Sequence, residues 1–271
     1  MQERFEYTID VHDNTKLKIM KKIPIYFLML FIFSVFSVTP VVLARDSATT
    51  LHFDLGENTG WAPYRTGKTP NQDGILSELV VLIEKHSAIT FTAVNWPMKR
   101  AEFALVKGIV DFDFICTAWF PGGTYGRNFV ISEPLFAIKE YVITLKGNKH
   151  LFPTLESIYT MPIGTIAGYF YFDDYQFTRV DFSDEESLIK ALKYKRVQAV
   201  ILEYEAAKHW AEILQAEIEM AALHSTGNLL IRLNKAKQQQ LPAINAAIKK
   251  IKKTGQLKEI LDKYDVETQI F

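Results

Sequence analysis

Residue types that can support catalysis or hold a cofactor are present, but their spacing completes no reactive motif. Thr66–Thr69 reads Thr-Gly-Lys-Thr, the end of a phosphate-binding loop, yet that loop needs a glycine five residues before Gly67, and Ala62 occupies the position. The sequence contains no pair of histidines at zinc-binding spacing and no Gly-x-Ser-x-Gly segment. We therefore expect no catalytic residue, no metal site and no cofactor.

Two acids and one thiol are the remaining reactive candidates. Asp111 and Asp113 are two residues apart, so on a strand they would share one face as paired carboxylates. A structural hydrogen bond at the start of the strand is the alternative for Asp111. Cys116 is the single cysteine, which excludes an internal disulfide. We expect it to be a small buried side chain on a strand.

Residues 21–44 have the pattern of a secretory signal. Two lysines precede the apolar run Ile23–Val38, and Ala44 supplies the small residue expected at a cleavage site. We predict that translation begins at Met20, because residues 1–19 are polar and mixed in charge, and that cleavage follows Ala44. A membrane anchor is the alternative, since the apolar stretch is just long enough to span a bilayer.

Charge and length limit the class of partner. In 271 residues, 31 Lys and Arg balance 31 Asp and Glu, so the formal net charge is zero. A nucleic-acid partner would need a concentrated basic face, and none is expected. The length suffices for one large domain or two small ones.

The first half of the chain beyond the signal alternates strand and helix patterns. Strands are predicted at 51–55, 90–94 and 112–117, with helices from 75 and at 99–107. This β-α-β-α-β order predicts a parallel or mixed sheet covered by helices.

The second half repeats this alternation around two polar breaks, at 146–149 and 224–228, which predict two crossings between lobes. A capping box of Ser183 and Glu186 is predicted to begin one helix, and Gly255 to follow the end of another. The predicted elements are strands 140–145, 162–166, 199–202, 218–220 and 229–233, and helices 183–194, 203–214 and 241–253.

Six motifs then follow one another in a fixed order. They are GWAPY at 60–64, GILSELVVLIEK at 74–85, WPMKRA at 96–101, GIVD at 108–111, ISEPL at 131–135 and KKTGQLKEILDKY at 252–264. In this order they resemble the bacterial extracellular solute-binding proteins of family 3, which serve polar amino acid uptake by ABC transporters. The resemblance implies the type II periplasmic-binding fold, an α/β architecture of two lobes, each a mixed sheet flanked by helices, with a cleft between them. It places 46–143 and 229–271 in lobe 1 and 144–228 in lobe 2.

The resemblance also implies ligand contacts from lobe 1. In GWAPY, Trp61 would cover the ligand with Tyr64 behind it, and packing within the lobe is the alternative for Trp61. WPMKRA resembles a Pro-Trp-Lys-Arg-Ala form in which Met98 replaces an aromatic residue. Arg100 of the same motif would line the cleft or hold a helix.

A clamp for the ligand's carboxylate is implied on the loop after 117. Thr124–Arg127 resembles the family's Thr-Pro-Glu-Arg segment, whose arginine has this role, so Arg127 is the predicted clamp and a surface arginine the alternative. A planar guanidinium matches a carboxylate in two parallel bonds. Thr117 is a further candidate for a hydroxyl contact.

Lobe 2 is implied to bind the ligand's amino group. VQAVILEYEAA at 197–207 resembles the segment whose acid meets that group, which assigns the role to Glu203. Favourable charge at a helix N-terminus is the alternative for Glu203. IGTIAGYFY at 163–171 is similar to the strand and loop whose amides receive the ligand's carboxylate, with Gly168 allowing close approach.

These residues predict periplasmic capture of a small polar solute, an amino acid or related zwitterion. The ligand would bridge Arg127 and Glu203 when the two lobes close by a hinge. The protein would be a monomer that delivers its ligand to the membrane permease of an ABC transporter and would not act as an enzyme. A periplasmic sensor module and a dehydratase-like enzyme on the same fold are the alternatives.

Overall fold

The computed structural model describes residues 49–54, 61–66, 74–94, 96 and 98–271, apart from the side chains of 98 and 99. The predicted signal, with its start at Met20 and its cleavage site after Ala44, lies outside these residues. Within the described part of the chain, no helix combines the length and the apolar composition needed to cross a bilayer.

A mixed sheet of nine strands runs through the described residues. The strands are β1 (Thr49–Asp54), β2 (Ile89–Val94), β3 (Phe112–Cys116), β4 (Phe129–Ile131), β5 (Phe136–Leu145), β6 (Pro162–Ile166), β7 (Thr178–Phe182), β8 (Ala199–Glu203) and β9 (Ile218–Asn234). Their order is β2-β1-β3-β9-β5-β8-β6-β7, and β4 also pairs with β9. Pairs β1–β2, β1–β3, β6–β7 and β6–β8 are parallel, whereas β9 is antiparallel to β3, β4 and β5, and β5 to β8.

Two long strands join the two ends of this sheet. We call β1–β4 the first strand group, β6–β8 the second strand group, and β5 and β9 the crossing strands. β5 has 10 residues and β9 has 17, and they pair with each other along most of their length. Each group therefore extends from the same antiparallel pair. The lobe boundaries, 46–143 with 229–271 and 144–228, stay a prediction.

Six helices cover the sheet in the described residues. They are α1 (Ile75–His86), α2 (Met98–Val106), α3 (Glu185–Lys193), α4 (Tyr204–Ile213), α5 (Leu241–Lys253) and α6 (Gln256–Lys263). In α1 the apolar residues Ile75, Leu79 and Ile83, spaced four residues apart, are buried on one face. The C-terminal helices return to α1, since Lys263 Nζ lies 2.6 Å from Glu78 Oε1 and the Tyr264 hydroxyl accepts the Gly74 N–H at 3.0 Å.

Most of the predicted elements are present. β6 and α5 have the predicted bounds, and all five side chains of β8 are buried, as expected for a strand inside a covered sheet. Gly255 has φ 79° directly after the α5 C-cap, which is the position where glycine favours helix termination. The predicted break at 146–149 is the turn that follows β5. β4 and β7, of 3 and 5 residues, were not predicted.

The capping box predicted for Ser183 and Glu186 is wrong. Asp184 is the N-cap of α3, and its Oδ1 accepts the Ser187 N–H at 2.8 Å. Ser183 instead donates its hydroxyl to Asp184 Oδ2 at 3.0 Å. The Asp184 carboxylate takes the capping role that was predicted for the Ser183 hydroxyl, because it accepts an N–H of the first helical turn that has no partner within the helix. The helix therefore starts one residue later than predicted.

The break predicted at 224–228 is also wrong, because β9 is continuous through this segment. Ser225, Thr226, Gly227 and Asn228 pair with β5, and register shifts on both sides of Tyr141 absorb the local irregularity. The Ser-Thr-Gly sequence favours a turn in isolation, but pairing with β5 satisfies the same backbone groups inside the sheet.

The reactive candidates Asp111, Asp113 and Cys116 are held by structural contacts, although Asp113 also lines the cavity described below. Asp111 Oδ2 accepts the backbone N–H of His52 at 2.7 Å, which agrees with the predicted structural bond. Asp113 is bound separately, because Arg232 donates to both of its oxygens, at 3.0 and 2.6 Å. Cys116 is fully buried, as predicted, and burial raises the pKa of its thiol to about 11.

Gly227→Ala tests the close approach of β9 to the end of β3. A Cβ at this position would lie 2.6 Å from Cys116 Sγ and 3.2 Å from Ala118 Cβ, so the strands must separate. We expect the free energy of unfolding to fall by about 1–3 kcal/mol, as for other overpacked sites, measured by urea denaturation. Cys116→Ala in the same background should recover part of the loss, and strictly additive losses would contradict the proposed contact.

Candidate ligand-binding site

A cavity of about 90 Å³ lies between the two strand groups, beside the crossing strands. From the first strand group and its loops come Asp54, Trp61, Arg65, Asp113 and Trp119. From the other side come Glu140 of β5, Gly168–Tyr171 after β6, and Glu203 at the end of β8. The cavity therefore combines aromatic rings, four carboxyl groups and one guanidinium.

Aromatic rings form much of the cavity wall. Trp61 is buried, and its ring lies 4.6 Å from Tyr64 and 5.9 Å from Trp119, the latter in an edge-on arrangement. Among the described residues, the indole nitrogen of Trp119 is buried without a hydrogen-bond partner. A buried N–H donor in a cavity wall is suited to an acceptor on a bound molecule.

Two rings meet across the cavity from opposite strand groups. Phe120, in the loop after β3, lies 4.7 Å from Phe170, in the loop after β6. Phe170 lines the cavity. The Phe120 ring also packs against Arg232, whose guanidinium carbon lies 5.5 Å from the ring centre. The Phe120–Phe170 contact joins the two sides of the cavity without a charged group.

Arg65 is the functional candidate that the sequence analysis missed. It directly follows GWAPY, and its N–H donates to the Trp61 carbonyl at 2.8 Å, so the turn brings both side chains to the cavity. Its guanidinium carbon lies 5.6 Å from the centre of the Trp61 ring. The residue is 8 % exposed, and no carboxylate among the described residues forms an ion pair with it. The available signal in the sequence was an arginine directly after the GWAPY motif.

Glu203 joins the two sides of the cavity by hydrogen bonds. Its Oε1 accepts the Tyr64 hydroxyl at 3.1 Å, and its Oε2 accepts the Ala206 N–H at 3.0 Å as the N-cap of α4. Burial raises the pKa of Glu203 to about 8, although the N–H bonds from Ala206 and Glu205 act in the opposite direction. Burial and the neighbouring Glu203 raise the pKa of Tyr64 as well, so its hydroxyl remains a donor.

Glu140 belongs to a buried cluster on the crossing strands. Its Oε2 accepts the Ser225 hydroxyl at 2.6 Å and lies 3.4 Å from His224 Nδ1. His224 Nε2 lies 2.8 Å from Asp173 Oδ1. Burial lowers the pKa of His224, but bonds and charges from Asp173 and Glu140 outweigh it and raise the pKa to about 9. His224 is therefore an imidazolium at neutral pH.

The predicted site residues fall into two sets. Trp61, Gly168 and Glu203 line the cavity, and Gly168 has φ 93°, which favours glycine. Arg100 and Arg127 are exposed and Thr117 is half-buried in a short 3-10 turn, and the described lining includes none of the three. The side chain of Met98 lies outside the described residues. Ligand contact by each of these seven residues stays a prediction.

Arg127 and Glu203 are not brought together in this structure. Arg127 lies on the surface, in a loop that follows a 3-10 turn at Pro121–Gly123, whereas Glu203 is buried and bonded to Tyr64. In this turn Gly122 and Gly123 have positive φ angles, 63° and 70°, and turn the chain before it reaches Arg127. The loop therefore places the guanidinium away from the cavity.

Another arginine, Arg232, holds the first strand group together behind the cavity. It is 1 % exposed, binds Asp113 through two bonds and binds Glu102 of α2 at 2.6 Å. The Phe129 ring lies 4.7 Å from its guanidinium carbon. Both carboxylates compensate its charge, as a buried guanidinium requires.

Solved structures share this architecture at low sequence identity. A mutant of ArgBP from T. maritima is 18 % identical with a TM-score of 0.66, covering 80 % of this chain and 96 % of its own. AbpA from Streptococcus pneumoniae, an amino acid ABC transporter substrate-binding protein bound to L-arginine, is 19 % identical with a TM-score of 0.64, covering 80 % and 96 %. The GluR0 ligand-binding core from Nostoc punctiforme, in complex with L-glutamate, is 18 % identical with a TM-score of 0.64, covering 80 % and 98 %. No curated protein matches the chain in sequence.

The architecture is the type II periplasmic-binding fold, as the sequence predicted. Residues 54–267 match the family described as bacterial extracellular solute-binding proteins, family 3. The chain belongs to this family, and its function is the capture of a solute. The sensor and dehydratase alternatives are not favoured by these matches.

Glu203→Gln tests the raised pKa of this carboxyl group. Its folded-state pKa of about 8 exceeds the ordinary value of 4.5. Its contribution to the free energy of unfolding is therefore full below pH 4.5 and is lost as pH rises to about 8. Glutamine cannot ionise but still accepts the Ala206 N–H, so the variant should lose less stability than the wild type between about pH 5 and pH 8.

Urea denaturation of the wild type and of Glu203→Gln, at about pH 5 and about pH 8, measures how much stability each protein loses between the two. His224 contributes a similar pH dependence to both proteins, since its surroundings are unchanged, and therefore cancels in the comparison. Glu186→Gln, which removes a partly exposed surface carboxyl group, is the matched control. An equal decline in wild type and Glu203→Gln would contradict the raised pKa.

Proposed function

We propose that the captured solute is a small zwitterion, an amino acid or a close relative, and that it binds in the cavity beside β5 and β9. One observation carries the proposal: a buried guanidinium, that of Arg65, shares a cavity with carboxyl groups on the opposite wall. A molecule with a carboxylate at one end and an ammonium at the other satisfies both. A neutral apolar molecule would leave buried charges without partners.

The proposed binding mode assigns one end of the ligand to each side. Arg65 receives the carboxylate in two parallel bonds, and Trp61 and Trp119 supply aromatic faces around it. Glu203 and the loop at Gly168 provide the opposite wall. The amino acids named for AbpA and the GluR0 core, L-arginine and L-glutamate, support a ligand of this class.

Hinge closure is the proposed capture step. The two lobes, 46–143 with 229–271 and 144–228, would rotate about the crossing strands and enclose the ligand. The Tyr64–Glu203 hydrogen bond, at 3.1 Å, and the Phe120–Phe170 contact, at 4.7 Å, join opposite sides of the cavity in this structure. A ligand that binds both sides stabilises the closed form by its differential affinity.

The remaining features of the proposal follow the family. The protein acts in the periplasm as a monomer, after cleavage of its signal behind Ala44, and delivers its ligand to the permease of an ABC transporter. It binds without chemical conversion, as expected of a member of a solute-binding family. Trp61 and Glu203 retain their predicted roles, Gly168 belongs to the wall opposite Arg65, and Met98, Arg100 and Thr117 stay as further predicted contacts. Arg127 is the alternative to Arg65 as the clamp.

A thermal-shift screen of the proteinogenic amino acids and related amines tests the ligand class. A ligand that binds only the folded form raises the midpoint of unfolding, and the rise grows with the logarithm of the ligand concentration; calorimetry then gives its affinity. We expect at least one zwitterion to bind at micromolar concentration or better. If sugars or dicarboxylates bind and no zwitterion does, the proposed ligand class is wrong.

Arg65→Ala and Arg127→Ala distinguish the two candidate clamps. Loss of a charge-assisted bond to the ligand should weaken binding about tenfold or more in Arg65→Ala, whereas Arg127→Ala should bind within about twofold of wild type. Arg65→Lys keeps the charge without the planar fork and should be intermediate. Calorimetry measures the affinities, and circular dichroism confirms folding. The opposite ranking would return the clamp to Arg127.

A further inference from the structure

Glu140 has a position in the cavity that no sequence motif indicated. It lies on β5, 5 % exposed, where the pairing with β9 shifts register on either side of Tyr141. Glu140 lines the cavity together with three other acidic residues, Asp54, Asp113 and Glu203. The irregular pairing at this point turns a crossing strand's side chain toward the site.

Two side chains of β9 fix the Glu140 carboxyl group. The Ser225 hydroxyl donates to Oε2 at 2.6 Å, and His224 Nδ1 lies 3.4 Å from the same oxygen. Because Glu140 and Ser225 are directly paired residues of the ladder, the backbone sets the distance between them. The orientation of this carboxylate is therefore built into the sheet rather than left to a flexible side chain.

His224 also joins Glu140 to the loop after β6, on the same side of the cavity. Its Nε2 lies 2.8 Å from Asp173 Oδ1, and its ring packs 4.9 Å from Phe172. Its side chain is fully buried, so solvent does not compete for these bonds. Residues 172 and 173 directly follow the wall formed by Gly168–Tyr171. One imidazole therefore holds both a crossing strand and the loop after β6.

On the side of the cavity that carries Glu140, negative charge exceeds positive charge. Arg65, the guanidinium of the described lining, lies on the opposite side and is assigned to the ligand's carboxylate. Arg232 compensates Asp113, and Glu203 holds a proton at neutral pH because burial raises its pKa to about 8. The Glu140–His224–Asp173 cluster contains two carboxylates and one imidazolium, which leaves one negative charge in a buried place. Within the described residues, Asp173 Oδ2 is buried and accepts no hydrogen bond. Uncompensated buried charge is costly, and a bound cation beside Glu140 would lower that cost.

We propose that Glu140 is a specificity-determining carboxylate that selects ligands with an additional positively charged group, and that His224 is the positioning residue that orients it. This inference rests on the proposed capture of a zwitterion in the same cavity. Arg65 takes the ligand's carboxylate, and Glu140 takes a cationic side group such as an ammonium or a guanidinium. A neutral side group of the same shape leaves the cluster's charge uncompensated and binds more weakly.

Pairs of ligands that differ in charge and little in shape test the selection. The probes are L-arginine against L-citrulline and L-lysine against L-norleucine, measured by calorimetry on the purified protein at one pH and salt concentration. We expect the cationic member of at least one pair to bind about tenfold or more tightly. In Glu140→Gln this ratio should fall toward one. Glu133→Gln removes a partly exposed carboxyl group just before β5 and should leave the ratio unchanged.

The positioning role of His224 has its own readout. His224→Gln removes the imidazole contacts that orient the Glu140 carboxyl group, so the charge selection should weaken. A merely structural role would lower the affinity for both members of a pair equally and keep their ratio. Because this variant can fail to fold, Ser225→Ala provides a milder test that removes only the 2.6 Å bond to Glu140. We expect Ser225→Ala to lower the ratio of cationic to neutral ligand affinity by less than Glu140→Gln does.

The outcomes separate this inference from the proposed function. Equal binding of cationic and neutral members by the wild type, or an unchanged ratio in Glu140→Gln, overturns the role of Glu140 while zwitterion capture stands. An unchanged ratio in both folded His224→Gln and Ser225→Ala overturns the positioning role alone. If no amino acid binds at all, the proposed function is wrong, and the inference is overturned with it.

Discussion

The antiparallel pairing of β5 with β9 is the constraint on which the rest of the structure depends. Every other strand of the described sheet is attached to this pair directly or through one or two intervening strands, and both strand groups begin at its edges. The residue pairing between β5 and β9 is not regular along its whole length, because the register shifts on both sides of Tyr141. The cavity and the Glu140 cluster lie at that irregularity, where the chain passes from one group of strands to the other.

Burial and pairing compete at each charged group near the cavity, and the balance differs from residue to residue. Arg232 is fully enclosed but has two carboxylate partners, so it keeps its charge. Glu203 is equally enclosed and has only neutral donors, so its pKa rises to about 8. His224 has two acidic partners and keeps its proton. The partners therefore decide the protonation state more than the depth of burial does.

Local sequence patterns predicted the regular elements because their periodicity is a local property. The apolar positions of α1 and the bounds of β6 and α5 could be assigned without knowledge of neighbours. The segment 224–228 could not, since its turn-forming residues become a strand only through pairing with β5. The cavity depended equally on distant contacts. Trp61 was found through its motif, but Arg65 acquires its place from the turn that packs it on Trp61. Glu140 acquires its place from Ser225 on another strand.

The close packing around Cys116 affects how its thiol would react in an oxidising environment. A lone accessible thiol in an oxidising environment forms mixed disulfides or crosslinks two molecules. Here Gly227 packs directly over the sulfur, the side chain has no exposed surface, and a pKa of about 11 leaves almost no thiolate. The same absence of a Cβ that lets β9 approach β3 therefore also protects the sulfur from oxidants.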